Sequence, residues 1–475
     1  MENSFTRRVY DKAPVWLQNV AVSLAGLKIY QQRYNNEAFK VAVNSLERSK
    51  KFSKAEMDDY REEQFQTLIQ HSCHTVPYYK ALFSELGLTP DDIRSPDDLR
   101  ILPVLTKEVV RMNKEKMLSS AVRQKDLIPV RTSGTTGTPL SFWWTKEGAA
   151  REFAFVWARR REGVSFDDPF ATFNSRMVVP IRQNQPPFWR HNRVLKQTLF
   201  SIYHMNENAL ELYVKMLSRS NFRYYVGYPS AIYTIASYMI EQGLRCDNVP
   251  IRVFTSSETL TDWQRRTIEK AFNTKVDDSY TNGEQSVLLT QCKYGNYHVN
   301  YEYSIVEFIP IYSERDITLA KVIGTGFLNK AMPFIRYDTG DCVALKTGDM
   351  KCPCGHEGPV ITKIHGREDD LIITPAGNVV GRISRIFKPG MPIRESQIVQ
   401  HEDGSLEIII VQQSGYSRDT EEQLLNELSK RLGDSMQVRF TYTDLIPRGK
   451  SGKFRAVISH YRPSRAWLQT THLHG

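Results

Sequence analysis

Residues 223–280 constrain the fold more than any other stretch of the chain, because strand-like and helix-like segments alternate there. The segments RYYVGY, IRVFTSS and TKVDDSY are rich in β-branched and aromatic residues, whereas AIYTIASYMIEQG and TDWQRRTIEKAF have apolar residues at helical spacing. Helical crossovers of this kind join parallel neighbouring strands. We therefore predict an α/β fold with a mostly parallel sheet flanked by helices, and we expect Ser230 to cap the first of these helices.

The two ends of the chain differ from this middle region. Residues 1–125 have apolar side chains at helical spacing, most clearly over residues 54–75, and predict a mainly helical N-terminal region. After Gly366, the segments LEIIIVQ, EEQLLNELSKRLG and QVRFTYTDLI predict a small α+β unit. Because the charged segment 367–370 lies between the two parts, we predict a large domain over residues 1–368 and a small mobile domain over residues 369–475.

The composition is that of an ordinary globular protein, with 41% hydrophobic and 24% charged residues. The formal net charge is +10, but the basic residues are mixed with 53 acidic ones, and the densest basic cluster is at residues 159–161. We interpret this cluster as a solvated helix face, which argues against a nucleic-acid partner. The positive surplus would attract small polyanions such as ATP or CoA.

The N-terminal segment has no apolar run followed by a small-residue cleavage site, so we predict a cytoplasmic protein. Residues 15–30 are the most apolar stretch, but they include Gln18, Asn19, Ser23 and Lys28 and are shorter than the roughly 20 apolar residues of a spanning helix. We interpret them as an amphipathic helix. It either packs on the protein core or makes a peripheral contact with a membrane surface.

A loop rich in hydroxyl groups and glycine follows the predicted strand LIPVR. Its residues 132–138, TSGTTGT, carry five hydroxyl side chains and two glycines. Such a loop can wrap a polyphosphate, because glycine lets backbone N–H groups approach an anion and hydroxyls donate further hydrogen bonds. It is not a Walker loop, since Thr138 and Pro139 stand where that motif needs Lys and Ser or Thr. A polar surface turn is the alternative.

Five further segments follow in order: SSETL (256–260), DSYTNGE (278–284), PFIRYDTGD (333–341), GREDD (366–370) and PRGKSGK (447–453). Together with TSGTTGT they resemble the motifs of the adenylate-forming superfamily. The arrangement LNKAMPFIRYDTGD, CPCG and HGREDD resembles its phenylacetate-CoA ligase-like branch. The opening VWLQNVAVSLAGLKIYQQRYN resembles members of that branch associated with capsule and other surface-polysaccharide biosynthesis. The resemblance implies a large adenylation domain and a small swinging domain.

The resemblance also implies a role for the residues of each motif. Those implied to bind the nucleotide are Thr132, Ser133, Gly134, Thr135, Thr136 and Gly137 at the phosphates, Ser257, Glu258, Tyr280 and Thr281 around the adenine or acyl pocket, and Asp341 and Arg367 at the ribose and beyond. Glu284 is implied to hold Mg²⁺, a hard cation that prefers oxygen ligands. The chain departs from the family at Thr138 and Gly283, where Lys and Thr are common, so one phosphate contact and one hydroxyl are expected to differ.

Two residues near the C-terminus are implied to act in catalysis. Lys453 would reach the carboxylate and the α-phosphate as they react, where an ammonium group neutralises developing negative charge. Lys450 is the rival candidate for this role. Asp369 would be the hinge about which the small domain turns between the two half-reactions, with an ordinary linker aspartate as the alternative.

The cysteine pattern indicates a metal site rather than disulfides. Cys352 and Cys354 lie close together in CPCG, and Cys292 and His298 lie upstream in QCKYGNYHV. Three thiolates and one imidazole are a tetrahedral zinc ligand set, so we predict a structural Zn²⁺ site at these residues. His356 could replace His298, and three free cysteines are the alternative.

These inferences predict an ATP-dependent ligase that converts a carboxylic acid to its acyl-adenylate and passes the acyl group to CoA. An amine acceptor, such as an amino sugar, is the second possibility. A different class of protein, a nucleotide-binding scaffold without turnover, is the third, because Thr138 and Gly283 depart from the family pattern.

Overall fold

The computed structural model describes residues 4–132, 140–348, 351–367, 372–374, 379–380, 383–387, 391–432, 436–448 and 454–461. The α-helices are α1 Ser4–Lys12, α2 Val15–Arg33, α3 Glu37–Ser49, α4 Lys54–Thr75, α5 Pro77–Leu86, α6 Lys107–Met112, α7 Lys146–Phe155, α8 Glu207–Arg219, α9 Pro229–Glu241, α10 Asp262–Phe272 and α11 Arg418–Leu432. The strands are β1 Leu127–Arg131, β2 Ser141–Thr145, β3 Phe170–Asn174, β4 Trp189–Asn192, β5 Gln197–Ser201, β6 Tyr224–Gly227, β7 Arg252–Ser256, β8 Lys275–Thr281, β9 Leu288–Gln291, β10 Tyr297–Val299, β11 Ser304–Glu314, β12 Ile317–Gly326, β13 Tyr337–Lys346, β14 Ile361–Arg367, β15 Ile372–Ile373, β16 Val379–Val380, β17 Ile393–Gln400, β18 Leu406–Gln412, β19 Val438–Tyr442 and β20 Val457–Ser459.

A twelve-stranded sheet, in the order β11-β12-β13-β14-β10-β9-β8-β7-β6-β3-β5-β4, forms the centre of the molecule. The predicted crossovers are confirmed, because β6, β7 and β8 pair in parallel and α9 and α10 connect them. β3 and β5 continue the parallel part, and antiparallel strands extend the sheet at both ends. The predicted α/β class is thus confirmed. In sheets of this kind, ligands bind beyond the carboxyl ends of the parallel strands.

Helices cover both faces of the parallel strands, as neighbouring residues of β6 illustrate. Tyr225 packs in the large core formed with α8, α9 and α10, whereas Tyr224 stacks on Phe170 on the opposite face, near Trp157. Successive side chains of a strand point to opposite faces, so a strand buried on both faces consists almost entirely of apolar residues. This explains the uninterrupted aromatic and β-branched run that marked the strand in the sequence.

The N-terminal region is helical, as predicted. α4 spans the predicted residues, and Ser53 and Glu56 form a reciprocal capping box at its start. α5 ends at Gly87, whose φ of +67° is the left-handed conformation that glycine adopts without strain. Both boundaries therefore follow from local capping chemistry.

Helix α2, the predicted amphipathic helix, packs on the protein. The fully buried Arg190 donates from Nε to Gln18 Oε1 at 2.6 Å, and the backbone N–H of His191 donates to Asn19 Oδ1 at 2.9 Å. Trp16 and Leu24 are 67% and 62% exposed. Packing on the core is confirmed, and the membrane contact stays a prediction. Within the described ranges, no helix combines the length and the apolar character needed to cross a bilayer.

Two local predictions were wrong. Ser230 does not cap α9, because the helix already begins at Pro229 and the Ser230 side chain lies inside the first turn. The Glu258 carboxylate instead accepts a hydrogen bond from the Ser230 backbone N–H at 3.1 Å.

The arginines at 159–161 are not a solvated face. Arg159 contacts Glu302 Oε1 at 2.6 Å, and Arg160 Nε donates to Ser279 Oγ at 3.0 Å. The reason is a π-helical turn, Val156–Arg160, which lies against α3 and β8 and breaks the periodicity of α7.

The C-terminal part contains a four-stranded sheet in the order β19-β18-β17-β20, with α11 packed on it. The predicted strands and helix are all present. Their apolar residues form a core of their own, which includes Ile398, Leu406, Ile408, Leu424 and Leu428. A small sheet with a separate core is what the predicted α+β unit requires, and the predicted fold class holds here too.

Candidate functional site

Five of the predicted site residues lie at or just beyond the carboxyl ends of the parallel strands β7 and β8. Ser257 and Glu258 follow β7, Tyr280 and Thr281 end β8, and Glu284 lies in the turn after β8. Ser257 has a φ of +74°, a conformation that is strained for a residue other than glycine. Strain of this kind is frequent at functional sites, where the surrounding structure enforces it.

Asp341 in β13 faces Tyr280 across the sheet. The Tyr280 hydroxyl donates to Asp341 Oδ2 at 2.7 Å, and the backbone N–H of Asp341 donates to Thr339 Oγ1 at 3.1 Å. Asp341 is only 9% exposed. These bonds fix the carboxylate in one orientation, and a fixed carboxylate can accept hydrogen bonds from a pair of hydroxyl groups. Two of the predicted nucleotide-binding residues are therefore in direct contact.

Glu284 is held in the same way by a second tyrosine. The Tyr337 hydroxyl donates to Glu284 Oε1 at 2.7 Å, and the glutamate is 5% exposed. A carboxylate has two oxygens with about four lone-pair positions, so one such bond orients the group without using its capacity to bind a cation. Hard oxygen ligands suit Mg²⁺. The sequence interpretation gave Tyr337 no role, although its place in PFIRYDTGD was the available signal.

The start of the hydroxyl-rich loop lies beside this glutamate. A Cβ on Gly283 would lie 3.9 Å from Thr132 Cγ2 and 3.7 Å from Phe142 Cζ, and Trp144 Nε1 donates to the Gly283 carbonyl at 2.8 Å. Thr132 is itself fixed, because its hydroxyl accepts from the Leu140 N–H at 2.9 Å. The β1–β2 hairpin thus brings Thr132 to the Glu284 turn. Ser133, Gly134, Thr135, Thr136 and Gly137 lie outside the described residues.

Glu258 connects three parts of the chain. Its carboxylate accepts from the backbone N–H of Ser230 and, at 2.6 Å, from that of Phe454. Burial raises the pKa of Glu258, although the two N–H groups act in the opposite direction. Lys453 and Asp369 lie outside the described residues, but Phe454 directly follows Lys453 and docks at this edge of the sheet. At the backbone of β14, Arg367 pairs with Asp341.

Two buried acids behind the cleft were missed by the sequence interpretation. Tyr303 donates to Glu152 Oε2 at 2.5 Å, and burial raises the pKa of Glu152 while the nearby Arg160 lowers it. Burial raises the pKa of Asp278 to about 6, although the hydroxyls of Thr255 and Tyr297 donate to its two oxygens. The signal was weak: Glu152 is a lone acid in the apolar run AREFAF.

The predicted metal ligands come together in space. One ligand atom from each of Cys292, His298, Cys352 and Cys354 lies within 4.8 Å of all the others. Cys292 Sγ and Cys352 Sγ are 3.8 Å apart, and Cys354 Sγ is 3.3 Å from His298 Nε2. Sulfurs bound at about 2.3 Å to one tetrahedral ion lie roughly 3.8 Å apart, so the donor set fits zinc. His356 stacks on His298 at 4.4 Å and is not part of the four.

Comparisons with known proteins show what this chain is similar to. A family model described as the CapK C-terminal domain matches residues 372–460. Protein CapK of Staphylococcus aureus is 27% identical over 459 residues, which cover 96% of this chain and 99% of that protein. A phenylacetate-coenzyme A ligase of Pseudomonas putida is 24% identical over 346 residues, covering 68% of this chain and 74% of the ligase.

A solved structure shares the fold. The crystal structure of 2-hydroxyisobutyryl-CoA ligase, in the postadenylation state in complex with R3-HIB-AMP, superimposes with a TM-score of 0.66 at 17% identity, covering 89% of this chain and 92% of that one. The fold is therefore that of the adenylate-forming acyl-CoA ligases. With the ordered motifs, the sequence relatives support the resemblance of this chain to the adenylate-forming superfamily and its phenylacetate-CoA ligase-like branch.

Proposed function

We propose that this protein is an ATP-dependent ligase that activates a carboxylic acid as its acyl-adenylate and transfers the acyl group to CoA. One observation carries the proposal: two buried carboxylates, Glu284 and Asp341, lie at one edge of the sheet, and each is oriented by a tyrosine hydroxyl. Glu284 also adjoins Thr132, the first residue of the hydroxyl-rich loop, through Gly283. Binding a nucleotide with its cation needs this combination of groups.

We call the group formed by Glu284, Asp341, Tyr337 and Tyr280 the acidic cleft. Each of its residues has a distinct role in this proposal. Glu284 would hold Mg²⁺, which supplies positive charge beside the phosphates when bound. Tyr337 keeps the Glu284 carboxylate oriented. Asp341 would accept the ribose hydroxyls, and Tyr280 holds it in place. The cleft therefore positions the nucleotide, and Lys453 would stabilise the charge that develops on the α-phosphate.

We infer that the chain works as two domains with a boundary near residue 368 and that Asp369 is the hinge. The separate core of the C-terminal sheet and the family match over residues 372–460 support the division. The hydrogen bond from the Phe454 backbone N–H to Glu258 supports an arrangement in which the C-terminal part docks at this edge of the sheet. Rotation about the hinge would withdraw Lys453 after adenylation.

Pyrophosphate release from ATP and Mg²⁺ tests the proposal directly. We expect release with at least one acid from a panel of aliphatic, aromatic, hydroxy- and dicarboxylic acids. Lys453→Ala should abolish that release and leave ATP binding intact. Tight ATP binding with no release for any acid would instead support a scaffold protein.

The acyl acceptor is tested in a second reaction. With an active acid, we expect CoA to give an acyl thioester, detected by mass spectrometry. An acyl amide formed with an amino sugar, and no thioester with CoA, would contradict this part of the proposal. A role in surface-polysaccharide biosynthesis is a further inference, supported by the resemblance of the opening helix.

We also propose that Cys292, His298, Cys352 and Cys354 hold a structural Zn²⁺. Four protein ligands leave no position open for substrate, so the ion would join the β9–β10 hairpin to the segment before β14. The purified protein should contain about one zinc per chain, and Cys354→Ser should lose it. Metal analysis by mass spectrometry measures both. Cys246→Ser, outside the cluster, is the control, and zinc-free wild-type protein would contradict the assignment.

A further inference from the structure

A cavity of about 110 Å³ lies where the end of α2 and the segment after α7 meet β3, β5 and β6. Three arginines line it, Arg33, Arg161 and Arg176, and we call it the arginine cavity. The remaining lining residues are uncharged, and those that matter below are Phe153, Trp157, Thr172, Asn174, Gln197 and Val226. Three positive charges thus face a space with no acidic group in its walls.

Two of the three arginines, Arg33 and Arg161, lie against aromatic rings rather than carboxylates. Arg33 lies over the Phe153 ring, 4.0 Å from its centroid, and Arg161 lies 5.0 Å from the centroid of Trp157. Among the described residues, none of the three forms an ion pair, whereas Arg159, in the same basic cluster as Arg161, contacts Glu302 at 2.6 Å. Aromatic faces orient a guanidinium but do not neutralise it. The positive charge of the cavity is therefore uncompensated.

The protein bears a cost for this arrangement. Burial, with a smaller effect of the Arg176 charge, lowers the pKa of Arg33 to about 10. Loss of hydration and the Arg161 charge lower the pKa of Arg176. A guanidinium group stays charged at neutral pH. The Arg176 side chain is exposed, so the cavity is open to solvent at that residue. Like charges gathered in a solvent-connected cavity are stabilised when an anion enters.

A buried amide in the wall gives a second, independent indication of a ligand. Gln197 is 7% exposed and donates from Nε2 to Thr172 Oγ1 at 2.8 Å, but its Oε1 has no hydrogen-bond partner. If the side-chain amide of Gln197 is flipped, its nitrogen instead of its oxygen is the atom without a hydrogen-bond partner. An unsatisfied buried polar atom is costly. A ligand with a hydroxyl or amine group would satisfy it.

The cavity reaches the same edge of the sheet as the acidic cleft. Asn174 is the last residue of β3, so the cavity reaches the carboxyl edge of the sheet. Val226 of β6 pairs with Phe254 of β7, which pairs with Asp277 of β8, so these three side chains share one face of the sheet. Ser279 lies two residues beyond Asp277 and therefore points to the same face. Arg160, next to Arg161, donates to that serine. Thr281, the last residue of β8, alternates to this same face, whereas Tyr280 of the cleft points to the opposite one. A molecule that reacts at the carboxyl edge can therefore extend one end past Thr281 along this face.

We propose that the arginine cavity binds a remote anionic group, a carboxylate or a phosphate, carried by the acid that the enzyme activates or by the acyl acceptor. The inference deepens the proposed function and rests on it for the identity of the ligand's other end. The ligand class is thus an acid or acceptor with a second negative charge and a nearby hydroxyl or amine group. The aromatic wall would pack against its carbon skeleton.

Binding is tested first without turnover. Glutarate and inorganic phosphate are the probes, and tryptophan fluorescence is the signal because Trp157 lines the cavity. We expect saturable quenching in the wild type, loss of the signal in Trp157→Phe, and roughly 10–100-fold weaker binding in Arg176→Gln. Arg176→Lys should recover most of the affinity. Arg266→Gln, an exposed arginine on α10, is the control.

The result separates this inference from the proposed function. Glu284→Gln should quench like the wild type, because it alters only the acidic cleft. Probe affinity that is unchanged in both Arg176→Gln and Arg161→Gln, with melting temperatures equal to the wild type, would overturn the cavity assignment. That outcome would leave pyrophosphate release untouched, and failure of pyrophosphate release would leave probe binding untouched.

Turnover then tells the two sources of the anion apart. If the acid carries the anion, pyrophosphate release should favour a dicarboxylic acid over its monoamide, and Arg176→Gln should remove that preference. If the acceptor carries it, Arg176→Gln should leave pyrophosphate release unchanged and raise the KM for a phosphorylated acceptor. Equal use of charged and uncharged members of both pairs by the wild type would contradict the proposal.

Discussion

The acidic cleft and the arginine cavity lie on one sheet but treat charge in opposite ways. In the cleft, Glu284 and Asp341 each accept a hydrogen bond from a tyrosine hydroxyl. In the cavity, Arg33 and Arg161 lie over aromatic rings, and none of the three arginines forms an ion pair among the described residues. The difference indicates the ligand each would accept: a cation and hydroxyl groups in the cleft, an anion in the cavity. Because the carboxylates of the cleft and the arginines of the cavity lie in separate places, they do not neutralise each other.

The sharpest test of the cleft is Glu284→Gln. The substitution keeps the shape but removes the charge that would hold Mg²⁺, so pyrophosphate formation should fall at least about 100-fold. Steady-state kinetics with an active acid measures it. Glu63→Gln, an exposed glutamate on α4, is the control. Activity within a few-fold of the wild type would show that Glu284 does not hold Mg²⁺. The cleft would then not differ from the cavity as a site for a cation.

Tyr337→Phe should have a smaller effect, because it removes only the group that orients Glu284. We expect a loss of about 10-fold and a higher Mg²⁺ concentration for half-maximal rate, as is usual when a metal ligand loses its hydrogen-bond partner. A Mg²⁺ titration measures the second effect, which a purely structural role would not produce. Tyr312→Phe is the control, since Tyr312 is 47% exposed. An unchanged Mg²⁺ dependence would contradict the positioning role.

The smallest expected effect concerns Glu152, whose charge acts on Arg160 between the two regions. Burial raises the pKa of Glu152 above its unfolded value, so its stabilising contribution is present below the unfolded pKa and is lost as the pH rises through the folded pKa. The melting temperature of Glu152→Gln minus that of the wild type should therefore increase as the pH rises from acid to neutral. Thermal unfolding across this range measures the difference, with Glu147→Gln as an exposed control on α7. A difference that shrinks with rising pH would contradict the sign.

Much of the fold could be predicted from local patterns. The limits of α4 and the end of α5 follow from Ser53, Glu56 and Gly87, which act through their own neighbourhood. The strand and helix alternation of residues 223–280 gave the parallel sheet, since apolar runs and crossover lengths leave few topologies. Ser230 shows the limit: a residue one position inside a proline-started helix gives a false capping signal.

The candidate site was predictable only as a set of motifs. The sequence placed Glu284 and Asp341 in separate segments, but it could not assign Tyr337 as the partner of one and Tyr280 as the partner of the other. The cysteine and histidine set was an exception, because ligand chemistry alone selected the four residues that lie together. Arg161 was interpreted only as part of a solvated basic cluster, and Arg176 gave no signal, since an arginine far from any motif looks like an ordinary surface residue.

The sequence by itself determined the alternation of elements, the order of the motifs and the chemical nature of the candidate metal ligands, because these depend on residue type and spacing. Only the tertiary structure decided which charges are compensated. It placed Arg159 against Glu302 and left Arg33, Arg161 and Arg176 around a cavity lined by uncharged side chains. Whether a charge is neutralised depends on side chains distant in sequence, and the folding of the sheet and α2 brings those side chains together.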